Sequence, residues 1–436
     1  VMIGGNVEKI RTWKTKKRGL AAAAAALTAG SMLIMLCSAT PNRQSIPASM
    51  KSGRPTLPPK IATIRTRERL PGSRTPGQLA DCRRDTGAVK AGNFVAETIE
   101  SIFESLEQKP KARQNKRIGS LKVSEMGIGT WAWGNKLIWG YDTDMDEDVR
   151  EVFRMCTAAG INLFDTGDSY GTGNLEAQSE KLLGEFIQEL PDSRRKNVHV
   201  ATKLASYPWR LTPGQFVKAA EASRQRVGGR LGMGQLHWST SNYAPWQERA
   251  LWDGLIQMYD NEVVEAVGVS NYGPKQLKKV FNHLDKSGVP LGSNQVQFSL
   301  LSRRMDCKEA NDELGVTTIA YSPLCLGLLT GRYNMTHLPK SSVRKQLFQT
   351  LLPKIQPLLG ELQAVASFRK KTMSQVAINW CMQKGCIPIP GAKNPQQARE
   401  NLGALGWSLT PGEVEALDLA AGKCSGSAVQ NIFMTS

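Results

Sequence analysis

The sequence predicts an α/β chain that closes as a (β/α)8 TIM barrel behind a basic leader, and three observations carry that prediction. From residue 118 onward, short β-branched runs alternate with longer stretches of 3.6-residue periodicity. The alternation repeats about eight times, the number of units at which such a barrel closes. The first strand reads Gly127-Ile128-Gly129-Thr130-Trp131 and lacks the third glycine of a GxGxxG turn, which an open doubly wound sheet, the runner-up, usually carries.

Taken in order, the expected strands occupy residues 125–130, 162–165, 198–202, 233–237, 266–269, 293–297, 317–321 and 387–389. Helical periodicity fills the gaps at residues 146–159, 178–188, 213–227, 246–261, 274–286, 308–314 and across the longer stretch 345–382. Pro213 and Pro274 fall at helix starts, where a missing N–H costs little.

The chain has 436 residues, 41% of them hydrophobic, with 56 Lys and Arg against 38 Asp and Glu, a formal charge of +18. That composition excludes collagen, global disorder and a polytopic membrane protein, and its sign first suggests nucleic acid. Position argues otherwise. Residues 1–96 hold 17 basic residues and four acids, so +13 of the charge belongs to a leader and +5 to the remaining 340 residues. Basic clusters in the barrel, such as Arg194-Arg195-Lys196, lie on ordinary helix or loop surface without interleaved base-stacking aromatics, so no nucleic-acid partner is expected.

Within the leader, Lys9 to Arg18 precede a small or apolar run at residues 20–37, and Pro, Ser and Arg dominate up to Asn93. Read from Met50, the segment is Arg-rich and almost free of acids, as organellar transit peptides are. An organellar presequence is expected, with the chloroplast (plastid) stroma as its destination and a mitochondrion the other organelle; a mispredicted 5′ extension of a cytoplasmic protein and a secretory signal or anchor are the alternatives. The expected division is a leader at 1–93, a linker with a short helix at 94–117, and the barrel at 118–436. Eight cysteines show no CxxC pairing and four histidines no ligand spacing, so a reducing compartment and no metal are expected.

Chemistry in a barrel sits at the C-terminal ends of the strands. Asp165 ends the second expected strand and Tyr170 follows five residues later; Lys203 and His237 end the third and fourth; Ser270 and Asn271 end the fifth; Gln295 lies on the sixth; Tyr321 ends the seventh; Pro390-Gly391-Ala392-Lys393 follows the eighth. Taken singly, each has an ordinary explanation as a turn former, a solvated cation or a structural histidine. Their joint placement on one rim favours a site.

The runs LFDTGDSYG, VATK, GQLHWST, VGVSNYGP, NQVQFSLLS, YSPLCLGLLTG and IPIPGAKNPQQARENLGA resemble, in order and spacing, the aldo-keto reductase family. The longer runs GTWAWGNKLIWGY, ATKLASYPWRLTPGQFV, GQLHWSTSNYAP and QNIF are similar to the family's plant plastid, pyridoxal-reducing branch. This resemblance implies a barrel that binds NADPH or NADP+ without a Rossmann motif, and reduction of an aromatic aldehyde, pyridoxal to pyridoxine. A broad aldehyde reductase and a cofactor-sensing channel subunit are its alternatives.

The resemblance implies a catalytic tetrad of Asp165, Tyr170, Lys203 and His237, with Tyr170 as proton donor. It places Ser270, Asn271 and Gln295 on the nicotinamide carboxamide, Tyr321 under the ring, and Leu324, Gly327 and Leu329 along the pyrophosphate. Gly391, Lys393, Gln397 and Asn401 would hold the adenosine 2′-phosphate and adenine. Gln397 stands where relatives often have Arg, and Cys325 where Gly is usual. Trp131, Trp139 and Trp238 are expected to wall the substrate pocket, with Trp133, Tyr141, Tyr207 and Trp209 nearby. The expected partner is a small-molecule aldehyde, with no stable membrane partner; oligomeric state is open.

Overall fold

A strand buried on one face of a closed sheet points every second residue into the barrel, so the inward set can be followed two residues at a time. In the computed structural model, which describes residues 111–425, 431 and 433–436, that inward set is sorted by height. Leu163, Ala201, Met233, Ala266 and Ile319 form an apolar floor with Ile387 and Ile389. Two residues further along the same strands stand Asp165, Lys203, Gln235 and Tyr321. Apolar below and polar above, this register carries the chain's chemistry to one end.

Among the described residues, eight parallel strands run in chain order around the sheet: β3 (Ile128–Gly129), β4 (Leu163–Gly167), β5 (His199–Leu204), β6 (Met233–Leu236), β7 (Ala266–Ser270), β8 (Leu291–Gln297), β9 (Thr317–Tyr321) and β10 (Ile387–Pro388). They are preceded by an antiparallel hairpin, β1 (Lys116–Ile118) and β2 (Leu121–Val123), whose Ile118, Leu121 and Val123 join the floor cluster and plug it. The sequence reading left this hairpin in the linker and first barrel residues, because three-residue strands carry too little pattern to register.

The barrel closes between its first and last strands. Gly127 N–H donates to the Pro388 carbonyl at 3.0 Å and Gly129 N–H to the Pro390 carbonyl at 3.2 Å, and Gly129 bridges Gly391. Pro388 and Pro390 have no N–H to return, which keeps both strands of the seam shorter than their sequence pattern. The strands also approach closely there: a Cβ at Gly129 would lie 2.9 Å from the Ile389 carbonyl oxygen.

Each strand leads to an outer helix: α1 (Asp146–Ala158), α2 (Gln178–Gln188), α3 (Pro213–Arg226), α4 (Pro245–Asp260), α5 (Pro274–Asp285), α6 (Met305–Glu313), α7 (Met373–Gln383) and α8 (Pro395–Leu402). Outward strand residues such as Phe164, Val200, Val267 and Val269 pack with helix residues Phe153, Phe186, Leu255 and Leu277 in one large core. The expected helical stretch 345–382 divides into Ser342–Leu351, Gln356–Arg369 and α7. Pro353 and Pro357 break it first, and Lys370 in the left-handed region breaks it again, after which Thr372 and Gln375 cap α7 reciprocally at 3.1 and 3.3 Å. A helix at Pro411–Gly422 follows α8.

The leader at 1–93 and the helix expected near 94–106 lie outside the described residues. Among the described residues no helix is long and apolar enough to cross a membrane, and the six cysteines there are free.

Candidate active site

Asp165 and Lys203 meet at the polar end of the barrel as a buried ion pair, each about 3% exposed. Lys203 Nζ donates to Asp165 Oδ1 and, at 3.1 Å, to the Thr166 carbonyl. Asp165 Oδ2 accepts from Gln295 Nε2 at 2.7 Å and from Gln235 Nε2 at 3.2 Å. Breaking such a pair from one side strands a buried charge, at a cost of about 3–5 kcal/mol. Gln235 was not singled out in the sequence; it belongs to the same inward set, two residues before His237.

Tyr170 arrives through the turn after β4, where its N–H donates to the Gly167 carbonyl at 3.0 Å. Lys203 Nζ lies 4.9 Å from its ring centroid. The rings of Tyr170 and His237 are 5.8 Å apart and inclined at 71°. His237 follows β6, with Nδ1 3.4 Å from Ser169 Oγ. The four tetrad residues are thus brought together on one rim.

Burial raises the Tyr170 phenol above its ordinary value, and Lys203 opposes that rise. Burial alone would lower the Lys203 ammonium; Asp165 and the Tyr170 hydroxyl hold it above its usual range. His237 is pushed well below the ordinary histidine value by burial and by the cations Lys203 and Arg210. The site therefore offers a protonated phenol, a permanent ammonium and a neutral imidazole at neutral pH. Arg210, absent from the sequence-based set, is held by Asp168 at 2.6 Å and by the Ala205 carbonyl at 2.6 Å.

Polar side chains continue around the rim. Ser270 Oγ donates to the Gln295 carbonyl at 2.9 Å, and Asn271 Nδ2 to the His237 carbonyl at 3.1 Å. Asn271 has φ +63°, a left-handed turn that ends β7. Tyr321 caps β9 and donates its hydroxyl proton to Asn271 Oδ1 at 2.8 Å. This row of amides and hydroxyls beside an aromatic ring fits the carboxamide and ring of a nicotinamide. Leu324 precedes, and Gly327 and Leu329 lie in, the 3-10 segment Cys325–Thr330, with the Leu329 side chain in the core. Gly327 has φ +103°, and a Cβ there would lie 3.1 Å from Arg344 Nη2. Cys325 also turns into the core, its Sγ 2.9 Å from Ser299 Oγ.

Lys393 follows β10 and donates to the Trp139 carbonyl at 3.0 Å. Burial, Arg344 and Arg332 push its ammonium below the ordinary value. Gln397 Oε1 accepts the Lys393 N–H at 3.0 Å, and Asn401 Nδ2 donates to the Gly391 carbonyl at 3.2 Å. A cation cluster with a lowered ammonium fits an anionic group such as phosphate. Arg344, stacked 5.1 Å over Trp139, escaped the sequence reading because it lies on a helix well separated along the chain.

Trp238 is 4.9 Å from His237 and stacks on Phe433 at 4.6 Å. Tyr207 stacks on Trp209 at 4.6 Å, and Trp131 meets Trp139 edge-on at 5.8 Å. Trp133 is a packing residue instead, fully buried against Phe186 with its indole N–H on the Ala392 carbonyl at 2.8 Å. Tyr141 is likewise buried and bonded to Asp146. Phe433 was missed as a wall, although its QNIF run had been noted.

A profile of the Aldo/keto reductase family matches residues 125–421. The chain is 55% identical over 328 residues to a chloroplastic pyridoxal reductase of Arabidopsis thaliana, covering 74% of this chain and 90% of that one. It is 33% identical over 311 residues to an uncharacterized oxidoreductase of Mycobacterium tuberculosis, covering 69% and 90%. The fold is similar to that of a glycerol dehydrogenase from Gluconobacter oxydans, with a TM-score of 0.60, 26% identity, and coverage of 75% of this chain and 100% of that one. It is also similar to that of an aldo-keto reductase complexed with NADPH, with a TM-score of 0.57, 20% identity and coverage of 74% and 90%, a likeness of fold alone. With a barrel, a profile spanning most of it and a relative sharing more than half its residues, the chain belongs to the aldo/keto reductase family and is an oxidoreductase.

Proposed function

We propose that this protein reduces an aromatic aldehyde with NADPH, and that the aldehyde is pyridoxal, yielding pyridoxine. The observation that carries the reading is the buried Asp165–Lys203 pair beneath the Tyr170 phenol. A reduced nicotinamide, when bound, supplies the hydride. Ser270, Asn271 and Gln295 would hold its carboxamide and Tyr321 its ring. Such positioning removes several kcal/mol from the barrier, about 7–11 at most.

The chain's own residues manage the charge that develops. As the aldehyde carbon gains hydride, its oxygen becomes basic, and the Tyr170 hydroxyl is the proton donor facing it. Lys203 stabilises the resulting tyrosinate, and Asp165 keeps Lys203 charged and fixed in place. His237, held neutral, hydrogen-bonds the carbonyl and orients it. Tyr170 regains its proton from solvent, so aldehyde, hydride and one proton balance as alcohol.

Lys393, Arg344 and Arg332 favour a cofactor with an additional phosphate, and Gly327 supplies the positive φ that brings the backbone given to the pyrophosphate close to Arg344. Stacked pairs at Trp238–Phe433 and Tyr207–Trp209 suit a flat aromatic ring. The Arabidopsis relative's name supports pyridoxal as that ring and a plastid as the destination of the basic leader.

Residues from 111 onward, or the full chain, should oxidise NADPH when pyridoxal is added. If other aromatic aldehydes are used about a hundredfold better by kcat/KM, the pyridoxal assignment falls and a broad reductase replaces it. Tyr170→Phe should lower turnover by at least about 100-fold while NADPH still quenches tryptophan fluorescence; near-normal turnover would remove Tyr170 as donor.

The shifts of Tyr170 and His237 point in opposite directions, above 10 and well below 6.5. Both groups therefore keep their working forms between those ordinary values, and kcat/KM for reduction should stay flat from pH 6.5 to 10, falling on the alkaline side as Tyr170 ionises and, well below 6.5, as His237 gains a proton. An inflection near 6.5 would mean that His237 titrates as an ordinary histidine. Replacing the phosphate cation, Lys393→Met should weaken NADPH binding about tenfold, or about 1.4 kcal/mol, with NADH unaffected. Equal weakening of both cofactors would contradict the role given to Lys393.

A further inference from the structure

The last residues of the chain return to the mouth of the barrel and are bonded there. Thr435 N–H donates to the Asn271 carbonyl at 3.1 Å, and Thr435 Oγ1 accepts from Gly273 N–H at 2.9 Å. Gly273 makes room for this docking, since a Cβ on it would collide with the Thr435 carbonyl oxygen. Phe433 lies flat on Trp238. Asn431 Nδ2 donates to the Tyr321 hydroxyl at 3.1 Å.

That last bond completes a series. Tyr321 receives a proton contact from Asn431 and passes its own to Asn271 Oδ1; Asn271 Nδ2 in turn donates to the carbonyl of His237. The tail is thereby linked through the ends of β9 and β7 to the residue after β6. The phenol oxygen lies on the ring axis, so these bonds do not oppose spinning of the ring; they oppose a swing of the whole side chain, which would carry the oxygen away from both partners at a cost of about 0.5–1.5 kcal/mol per bond. Among the described side chains, Asn271 and Asn431 are the two bonded to the Tyr321 hydroxyl.

We propose that Asn431 is a positioning residue for the nicotinamide. By holding the Tyr321 hydroxyl it fixes where the far end of the ring on which the nicotinamide rests sits, a second anchor from the carboxy-terminal tail beside the one that Asn271 gives from the barrel. The inference rests on Tyr321 being the nicotinamide shelf, and its test separates the two ideas.

The full chain and its Asn431→Leu, Tyr321→Phe and Tyr321→Ala variants are titrated with NADPH and with adenosine 2′,5′-bisphosphate, which lacks the nicotinamide. Asn431→Leu should raise the NADPH Kd about 5- to 10-fold, the effect of one hydrogen bond, and leave the bisphosphate Kd unchanged. Tyr321→Phe, which removes the Asn271 bond as well, should weaken NADPH binding at least as much, and adding Asn431→Leu to it should add little, since the Asn431 contact is already gone. Unchanged NADPH binding in Asn431→Leu, equal weakening of both ligands, or fully additive losses would each overturn the positioning role. Tyr321→Ala distinguishes the levels. If it binds NADPH as tightly as the unaltered chain, the shelf itself is misassigned; if it weakens binding while Asn431→Leu does not, the shelf stands and the tail's role falls.

Discussion

The ion pair between Lys203 and Asp165 is the constraint around which the rest of the site is arranged. An ammonium this deep in a barrel needs an anion, and the anion needs its remaining oxygen satisfied. Gln235 and Gln295 satisfy it, each from a neighbouring inward position on its own strand. The glutamines are therefore fixed as well, and Gln295, through its carbonyl, holds Ser270. One electrostatic requirement in this way orders residues from five strands.

The same pair organises the chemistry. A phenol buried beside nothing but apolar groups would hold its proton too firmly, and a cation beside it would be lost to deprotonation unless anchored. Lys203 opposes the rise of Tyr170, and Asp165 keeps Lys203 charged. Burial, and after it that same cation together with Arg210, keeps the neighbouring imidazole neutral, so in the proposed mechanism His237 is a hydrogen-bonding group and not a second charge. Each of these three states depends on its neighbours.

Much of this was legible because strands and chemistry share a period. Asp165, Lys203 and Tyr321 sit two residues beyond Leu163, Ala201 and Ile319, so a strand pattern that marks the floor also marks the mouth. Tyr170 and His237, lying just beyond strand ends, followed from the same rule. What escaped was brought in from a distance. Arg344 reaches Trp139 and Gly327 from a helix that no strand pattern predicts to be near. Phe433 and Asn431 lie far along the chain from the strands they meet, and only the docking of the tail against Gly273, Trp238 and Tyr321 reveals them. Trp133 read as a rim aromatic because its neighbours in sequence are, whereas its side chain turns into the core.

In the proposed mechanism the charge pair makes Tyr170 a usable acid. The direct test removes both charges together, in Lys203→Met/Asp165→Asn, so that no buried ion is left unpaired. With NADPH bound beforehand and pyridoxal mixed in, the rate of the first hydride transfer should fall by about 100-fold or more, while the NADPH Kd stays within about threefold of the unaltered chain. A first-turnover rate close to that of the unaltered chain would show that Tyr170 needs no such pair beneath it.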